Sequence, residues 1–389
     1  MIKRSIGVLG STGSIGINTL DVIRHLNNQF SVKYLSAHSN SQILIQQVKE
    51  FKPDAIAIVN PEAAKLVRKD LEGSAIDVLV GREGLLELSS WDNIDICLNA
   101  IVGGAGMEPT IKALEAGVDV ALSNKESLVM AGSLIKEVME KNGTKIFPVD
   151  SEHSAIWQCL MGEEGSSIKR IILTGSGGPF RTKPNIDMIE ASIEQALAHP
   201  NWNMGRKISI DSATMMNKGF EVIEAHWLFD ISHEQIEIVV HPQSIIHSMV
   251  EFIDGSVKAQ LGLPDMKVPI QIALTFPNRL EASWEEFNPE KLTDLTFEEP
   301  NFSKFPCIPL AYDSLKMGGS ATAALNIAND NSVRLFLDGK IGFTEIAEIN
   351  EAVLRGHKWT PKPNLSDLIE LEEWGKDFVE KLIEEKVIL

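Results

Sequence analysis

Three carboxylates stand where they could share a divalent cation. Asp150 and Glu152 directly follow Lys145–Val149, an apolar run typical of a buried strand, and Glu221 comes later, after Asn217-Lys218-Gly219. In an extended chain, side chains two positions apart point to the same face, and adjacent carboxylates repel each other unless a cation or proton lies between them. Three oxygen ligands without Cys or His suit Mg²⁺ or Mn²⁺ better than zinc. A solvated acidic turn is the alternative interpretation of this spacing.

Two polar segments indicate an anion site. Gly175–Pro179 follows an apolar run and could surround an anion with backbone N–H donors. Ser212–Gly219 offers hydroxyl, amide and ammonium groups just before a helical pattern. Together the two segments predict a phosphate site, although either one alone could be an ordinary turn.

A third polar segment, His199–Gly205, places Trp202 and Met204 between turn-forming residues. An apolar flap between Pro200 and Gly205 that excludes water is the pattern of a lid.

Lys125 follows another apolar run, Val118–Ser123, at the carboxyl end of a predicted strand. A lysine there could stabilise negative charge or carry a proton, and a plain surface charge is the alternative.

The N-terminal strand Ile6–Leu9 runs into a turn with glycines at Gly10, Gly13 and Gly16. Such a turn lets backbone N–H groups approach a pyrophosphate at the start of the next helix. The spacing G-x-x-G-x-x-G differs from the commoner G-x-G-x-x-G, but its place in a strand–helix–strand unit favours dinucleotide binding over an ordinary glycine-rich turn.

The second predicted strand, Val32–Ala37, ends at His38, Ser39 and Asn40. An NAD site would have Asp or Glu here to accept a hydrogen bond from the ribose 2′-hydroxyl. His38, Ser39 and Asn40 can instead donate to a 2′-phosphate, so the sequence favours NADP.

Alternating apolar runs and helical stretches predict the elements that position these residues. Seven strands within the first 150 residues, with helices between them, predict a Rossmann-like, doubly wound parallel sheet. We assign 1–150 to this NADP-binding domain, 151–285 to a central α/β catalytic domain that binds metal and substrate, 286–311 to a proline-rich connector and 312–389 to a C-terminal α-helical bundle. Asp211–Gly219 is predicted to be a loop, and the last helix is predicted to span Leu365–Leu389.

Composition narrows the function classes. The formal net charge of −18 argues against general nucleic-acid binding, yet a local basic pocket for a phosphorylated small molecule remains compatible with it. The three cysteines form no CxxC, which favours a reduced, cytoplasmic protein. No apolar run reaches about 18 residues, so no membrane partner is expected. The first residues lack the features of a targeting leader, so we expect the folded domain to start close to residue 1.

Six segments occur in this order: Gly10–Gly16, Ser123–Glu126, Pro148–His153, Leu173–Phe180, His199–Gly205 and Ser212–Glu221. Their joint pattern resembles the 1-deoxy-D-xylulose 5-phosphate reductoisomerase family, nearly from end to end of the chain. The joint pattern is specific, although each motif alone is not.

The resemblance implies a role for each matching residue. The implied cofactor contacts are Thr12, Gly13, Ser14, Ile15, Asn124, Glu126 and Gly205, together with His38, Ser39 and Asn40. The implied metal ligands are Asp150, Glu152 and Glu221. The implied substrate contacts are Lys125, Ser151, Glu152, Ser176, His199, Ser212, Asn217, Lys218 and Glu221, with Trp202 closing over the substrate. The phosphate would lie among Ser176, Ser212, Asn217 and Lys218. Many family members carry Gly-Lys-Asn after the second strand, and His38-Ser39-Asn40 departs from that pattern.

The implied reaction is the isomerisation of 1-deoxy-D-xylulose 5-phosphate, by retro-aldol and aldol steps, followed by NADPH reduction to 2-C-methyl-D-erythritol 4-phosphate. The metal would polarise the substrate carbonyl, and Glu152 would move a proton with help from Lys125. The family also implies a homodimer. Two alternatives remain at this point: a plain NADP-dependent dehydrogenase without rearrangement, and a non-catalytic NADPH sensor.

Overall fold

The computed structural model of the chain describes residues 3–202, 204–291 and 294–385. Contacts within the chain define two compact units. Of the described residues, unit 1 holds those within Met1–Ser127, Ile135–Ser154 and Asp265–Glu285. Unit 2 holds those within Leu128–Leu134, Ala155–Pro264 and Glu286–Leu389.

The strands of the described residues are short. They are β1 (Arg4–Leu9), β2 (Phe30–Ala37), β3 (Ala55–Ile58), β4 (Asp77–Val80), β5 (Ile96–Asn99), β6 (Asp119–Leu122), β7 (Ile146–Pro148), β8 (Ile168–Gly175), β9 (Ile236–Val240), β10 (Ile246–Phe252) and β11 (Val257–Leu261).

Helices separate most of these strands and dominate the C-terminal part. They are α1 (Ser14–His25), α2 (Ser41–Phe51), α3 (Pro61–Asp70), α4 (Gly81–Ser89), α5 (Met107–Glu115), α6 (Lys125–Asn142), α7 (Ser151–Leu160), α8 (Asn185–Ile189), α9 (Ile193–Leu197), α10 (Arg206–Ala213), α11 (Met216–Phe229), α12 (Lys267–Thr275), α13 (Cys307–Met317), α14 (Ala321–Leu337), α15 (Glu345–Gly356) and α16 (Leu365–Glu384). Among the helices described, none is both long and apolar enough to cross a membrane.

Unit 1 is built on a seven-stranded parallel sheet in the order β4-β3-β2-β1-β5-β6-β7. Strands β3 and β5 are buried at every position, which explains their continuous apolar sequence. The strand order reverses between β1 and β5, and ligands of open parallel sheets bind at such a reversal. The predicted Rossmann-like sheet is confirmed.

Helix α12 packs on α1, β6 and β7 within unit 1. Sequence analysis assigned this segment to the 151–285 catalytic domain. The predicted domain boundaries divide the chain by function, and they stay predictions. In the structure, residues 265–285 belong to unit 1, which also contains the glycine turn.

Unit 2 contains a four-stranded sheet in the order β11-β10-β8-β9, in which β8 and β9 are parallel and the other pairs are antiparallel. Apolar side chains of β8, β9 and β10 form one core with those of α11 and α13. The predicted α/β character of this central part is confirmed.

Four helices, α13 to α16, form the predicted helical C-terminal part, with α14, α15 and α16 sharing an apolar cluster. Helix α13 begins at Cys307, within the predicted 286–311 connector, because Pro309 lies in the first turn, where its missing N–H is tolerated. Residues 386–389 of the predicted last helix lie outside the described residues.

The prediction of a loop at Asp211–Gly219 is wrong. Helix α10 continues to Ala213 and α11 begins at Met216, so only Thr214 and the left-handed Met215 lie between the helices. Asp211 accepts a hydrogen bond from the distant Asn329 (2.7 Å), while Asn217 and Lys218 both contact Glu221 one turn further along α11. These contacts offset the weak local preference of such polar residues against helix.

Candidate active site

The glycine turn of unit 1 requires its glycines for steric reasons. Gly10 has a φ of +75°, and a Cβ there would lie 2.7 Å from the carbonyl oxygen of Ala100. A Cβ on Gly16 would lie 2.3 Å from the oxygen of Gly10. Helix α1 starts directly after Gly13, which caps it without a side chain. The first backbone N–H groups of α1, next to Thr12 and Gly13, are therefore available to an anion.

Two side chains that sequence analysis missed hold this turn in place. The Ser36 hydroxyl accepts a hydrogen bond from the Gly10 N–H (3.0 Å). Gln47 accepts from the Ser11 hydroxyl (2.7 Å) and donates to the Ser11 carbonyl (2.8 Å). Nothing in the local sequence around Ser36 or Gln47 indicates that they hold the glycine turn, because the turn lies more than 20 positions away.

His38, Ser39 and Asn40 are all exposed at the carboxyl end of β2. The Asn40 side-chain oxygen accepts from the Ile43 N–H (3.2 Å) and so caps α2. His38 and Ser39 are therefore the better placed of the three to reach a 2′-phosphate, and that role stays a prediction.

Asn124 and Glu126 are buried beside the loop that follows β5. The Asn124 amide donates to the carbonyls of Ile101 (2.7 Å) and Gly103 (2.9 Å) and to the Glu126 carboxylate (3.1 Å). Its oxygen accepts from the Ser127 N–H and caps α6. The geometry thus gives Asn124 the task of shaping this loop, and its predicted contact with the cofactor stays a prediction.

Lys125 is only 5% exposed, so its interpretation as a surface charge is wrong. Its ammonium group donates to the Asp150 carboxylate at 2.6 Å. Burial raises the pKa of Asp150, but the Lys125 ammonium and the neighbouring His153 together hold it well below its usual range. Asp150 is therefore an anion at neutral pH, as a metal ligand must be.

The sequence suggested that Glu152 continues an extended chain after Asp150, but in the structure it lies in a helix. Helix α7 begins at Ser151, so Glu152 lies in a first helical turn, and its N–H donates to Asp150 (3.3 Å). The Ser151 hydroxyl donates to the Glu152 carboxylate (2.8 Å). Asp150, Ser151 and Glu152 thus remain adjacent, although through a helix start rather than through strand alternation.

In unit 2, the Gly175–Pro179 segment packs against two of the predicted phosphate residues. A Cβ on Gly175 would lie 2.7 Å from Cε of Lys218, and a Cβ on Gly178 would lie 2.5 Å from the carbonyl oxygen of Ser212. Gly177 and Gly178 both adopt positive φ angles. The positive φ angles of Gly177 and Gly178 and the backbone contact at Gly178 favour glycine there, and Ser212 and Lys218 lie against the turn that holds Ser176.

Glu221 is 1% exposed and lies one helical turn after Asn217 and Lys218. The Asn217 amide donates to its carboxylate at 2.6 Å, and the Lys218 ammonium forms a short ion pair with it. The side-chain oxygen of Asn217 is buried without a hydrogen-bond partner among the described residues. An acceptor in this state suits a ligand hydroxyl group.

Within the His199–Gly205 segment, His199 contacts Ser176, while Asn203 lies outside the described residues. The His199 Nε2 is 3.0 Å from the Ser176 hydroxyl, and its Nδ1 accepts from the Trp202 N–H (2.9 Å). The Trp202 ring lies 6.4 Å from that of His247. The lid role stays a prediction, and the structure adds His247 beside Trp202, which the sequence did not single out from other histidines.

We expect His199 to titrate far below an ordinary histidine, because burial lowers its pKa to about 4. The unfolded chain binds a proton near pH 6.5 and the folded chain does not, so this group lowers the free energy of unfolding as the pH falls from 6.5 towards 4. Histidine NMR spectra recorded against pH measure the midpoint, and the His199→Gln and His247→Gln variants assign the signals. A His199 midpoint at or above 6.5 would contradict this prediction.

Comparison with known proteins identifies the family. Three family models match the chain: 1-deoxy-D-xylulose 5-phosphate reductoisomerase over residues 6–132, its C-terminal domain over 146–229, and a further DXP reductoisomerase C-terminal domain over 261–378. The relative from Ruminiclostridium cellulolyticum is 50% identical over 98% of this chain and 100% of its own, and that from Chloroherpeton thalassium is 49% identical over 97% of both chains. Both carry the name 1-deoxy-D-xylulose 5-phosphate reductoisomerase.

Solved structures give the same result. The reductoisomerase of Zymomonas mobilis in complex with NADPH matches with a TM-score of 0.92 and 42% identity, over 98% of this chain and 100% of its own. A DOX-P reductoisomerase in complex with NADPH, fosmidomycin and magnesium matches with a TM-score of 0.94 and 39% identity, over 98% of both chains. With these matches spanning nearly its full length, the chain belongs to the 1-deoxy-D-xylulose 5-phosphate reductoisomerase family.

Proposed function

We propose that this chain converts 1-deoxy-D-xylulose 5-phosphate and NADPH into 2-C-methyl-D-erythritol 4-phosphate, a step in the non-mevalonate supply of isoprenoid precursors. The observation that carries the proposal is that the buried Ser212 and Lys218 pack against the Gly175–Gly178 turn, while Asn217 and Lys218 contact the buried Glu221 carboxylate. The named relatives and the NADPH and magnesium complexes of the solved neighbours support it.

The residues of unit 1 fit NADPH. The N-terminus of α1 presents backbone N–H groups without a capping side chain, and Thr12, Gly13, Ser14 and Ile15 would hold the pyrophosphate there. His38, Ser39 and Asn40 would face the 2′-phosphate, and Asn124, Glu126 and Gly205 would complete the cofactor site. When bound, NADPH supplies the hydride for the reduction step.

We assign the divalent cation, magnesium or manganese, to Asp150, Glu152 and Glu221. The donor set fits, because all three are carboxylates and the pKa of Asp150 lies well below its usual range. The Asn217 amide and the Lys218 ammonium donate to the Glu221 carboxylate in this structure. When the cation binds Glu221, both groups would be available to the substrate. When bound, the cation supplies positive charge that polarises the substrate ketone and a neighbouring hydroxyl group.

The phosphate of the substrate would bind Ser176, Ser212, Asn217 and Lys218. This remote binding energy orients the reacting carbons, while Trp202, held by the His199 turn, excludes water. Ser151 would contact the substrate next to the metal ligands.

Glu152 is the proposed proton carrier of the rearrangement, in which one carbon–carbon bond of the ketose breaks and another forms. Its carboxylate already accepts a hydrogen bond from the Ser151 hydroxyl, so a proton donor lies beside it. Lys125 assists as a fixed positive charge, because its buried pairing with Asp150 favours the ammonium form.

The proposed activity predicts NADPH oxidation that requires both the substrate and a divalent cation. The absorbance of NADPH is followed with 1-deoxy-D-xylulose 5-phosphate and Mg²⁺, then with EDTA, and then with NADH in place of NADPH. We expect chelation to abolish the decay and NADH to support it more weakly than NADPH. Decay that persists in EDTA would favour a plain dehydrogenase instead, and NADPH binding without any turnover would favour a sensor.

We also propose a homodimer. The edge strand β11 leaves Val257, Ala259 and Leu261 exposed on one face of the unit 2 sheet, an apolar surface that a second copy could cover. Light scattering at micromolar concentration should give twice the mass of one chain, and a single-chain mass would refute this proposal.

A cytoplasmic location is the last part of the proposal. Cys97, Cys159 and Cys307 are buried free thiols, as expected in a reducing compartment. Fractionation of cells that express the chain tests this, and recovery outside the cytoplasm would contradict it.

A further inference from the structure

The segment 296–305, which we call the strap, runs beside the loops at the carboxyl ends of β8 and β9. Glu298 exchanges two backbone hydrogen bonds with Val240, both 2.9 Å long, and its side chain pairs with Arg181. The Phe297 ring stacks on His241 with 5.0 Å between ring centroids. Sequence analysis treated this segment as part of a connector, yet it contacts the neighbours of the phosphate loop at several points.

The strongest of these contacts is made by Lys304, which is buried although it is a lysine. Its ammonium group donates to the carbonyl oxygens of Phe180 (2.6 Å) and Arg181 (3.3 Å) and to that of Lys183 at shorter range. Three carbonyls of one turn therefore point at a single cation. Removing an ammonium group from water is costly, and the three carbonyls compensate for this cost only while the turn keeps its shape.

The turn held by Lys304 directly continues the phosphate loop. Phe180 follows Pro179 and is anchored in the core against Phe343, at 4.9 Å between ring centroids. A Cβ on Gly177 would lie 2.6 Å from Cδ of Arg181, and one on Gly178 would lie 2.5 Å from the Ser212 oxygen. The backbone at Gly178 packs directly against the Ser212 carbonyl oxygen, and the 180–183 turn follows within two residues, so a shift of this turn displaces the loop against helix α10.

We propose that Lys304 is a positioning residue for substrate binding, which acts by fixing the 180–183 turn and through it the place of Ser176 relative to Ser212. The strap is then part of the substrate site without touching the substrate. This inference rests on the proposed phosphate site.

The test compares Lys304→Met with Lys316→Met, a matched change at an exposed lysine of α13. The kcat and KM for 1-deoxy-D-xylulose 5-phosphate and for NADPH are measured for both, with Ser176→Ala in parallel. Displacement of the loop should raise the substrate KM of Lys304→Met by about 10-fold or more, since small misplacements of binding groups are costly. The NADPH KM should change by less than about twofold, because the glycine turn belongs to unit 1. Lys304→Arg, which keeps N–H donors, should recover most of the loss.

Several outcomes would overturn the inference. If Ser176→Ala raises the substrate KM and Lys304→Met leaves it unchanged, the role of the strap is refuted and the phosphate site stands. An unchanged KM in Ser176→Ala refutes the proposed phosphate site and the inference with it. An equal rise in both KM values shows a general structural role instead. If Lys304→Met does not fold, Arg181→Met breaks the exposed pair with Glu298 and should raise the substrate KM by about two- to threefold, and no rise would count against the strap.

Discussion

Replacing Glu221 by Gln should lower kcat by at least about 10²- to 10³-fold, the loss seen when one preorganised charged or polar group at a reacting centre is removed. The change keeps the volume of the side chain but removes the negative charge that a divalent cation needs. It also leaves the buried Lys218 ammonium without the carboxylate that it now contacts. Turnover is measured as NADPH oxidation across a range of Mg²⁺ concentrations, with thermal unfolding as the check on folding.

Glu234→Gln is the matched control, because Glu234 is exposed in the same unit. It should keep turnover within about twofold of the parent, as surface changes usually do. Near-normal turnover of Glu221→Gln at low Mg²⁺ would contradict the three-carboxylate metal site. A loss that high Mg²⁺ partly reverses would show that the defect lies in metal affinity.

Replacing Lys125 by Met should affect both stability and activity. Breaking a buried ion pair from one side, which here leaves the Asp150 carboxylate without its main cationic partner, costs about 3–5 kcal/mol. The pKa of Asp150 should rise, because burial then acts without the opposing ammonium group. Urea unfolding measures the stability, and NADPH oxidation measures turnover, which should fall by about 10²-fold or more.

Two controls separate the charge from the catalytic role of Lys125. The double variant Lys125→Met/Asp150→Asn removes both charges and should regain much of the lost stability while remaining inactive. Lys112→Met breaks the exposed pair with Glu115 and should cost no more than about 1 kcal/mol. An active and stable Lys125→Met variant would refute the assigned roles of this pair.

Much of the fold was predictable because the relevant signals are local. Buried parallel strands need continuous apolar runs, and the predicted Ile6–Leu9 and Val118–Ser123 runs correspond to β1 and β6. The glycine turn was predictable for the same reason, since the positive φ of Gly10 and the contact of Gly16 with Gly10 both arise within the turn. The helical content of Asp211–Gly219 was not predictable, because polar residues weakly disfavour helix locally and Asp211 gains its partner Asn329 from a distant helix only after folding.

The sequence by itself determined which residue types stand at the ends of which strands, and hence the parallel sheet, the dinucleotide turn and the candidates for metal and phosphate binding. Only the tertiary structure decided how these side chains are used. Lys125 meets Asp150 from 25 positions away, and Lys304 meets Phe180 from 124 positions away. The sequence singled out Lys125 without its partner and did not single out Lys304, since burial and partner depend on which distant segments pack together. Periodicity and turn chemistry report only on neighbours, and therefore cannot show such pairings.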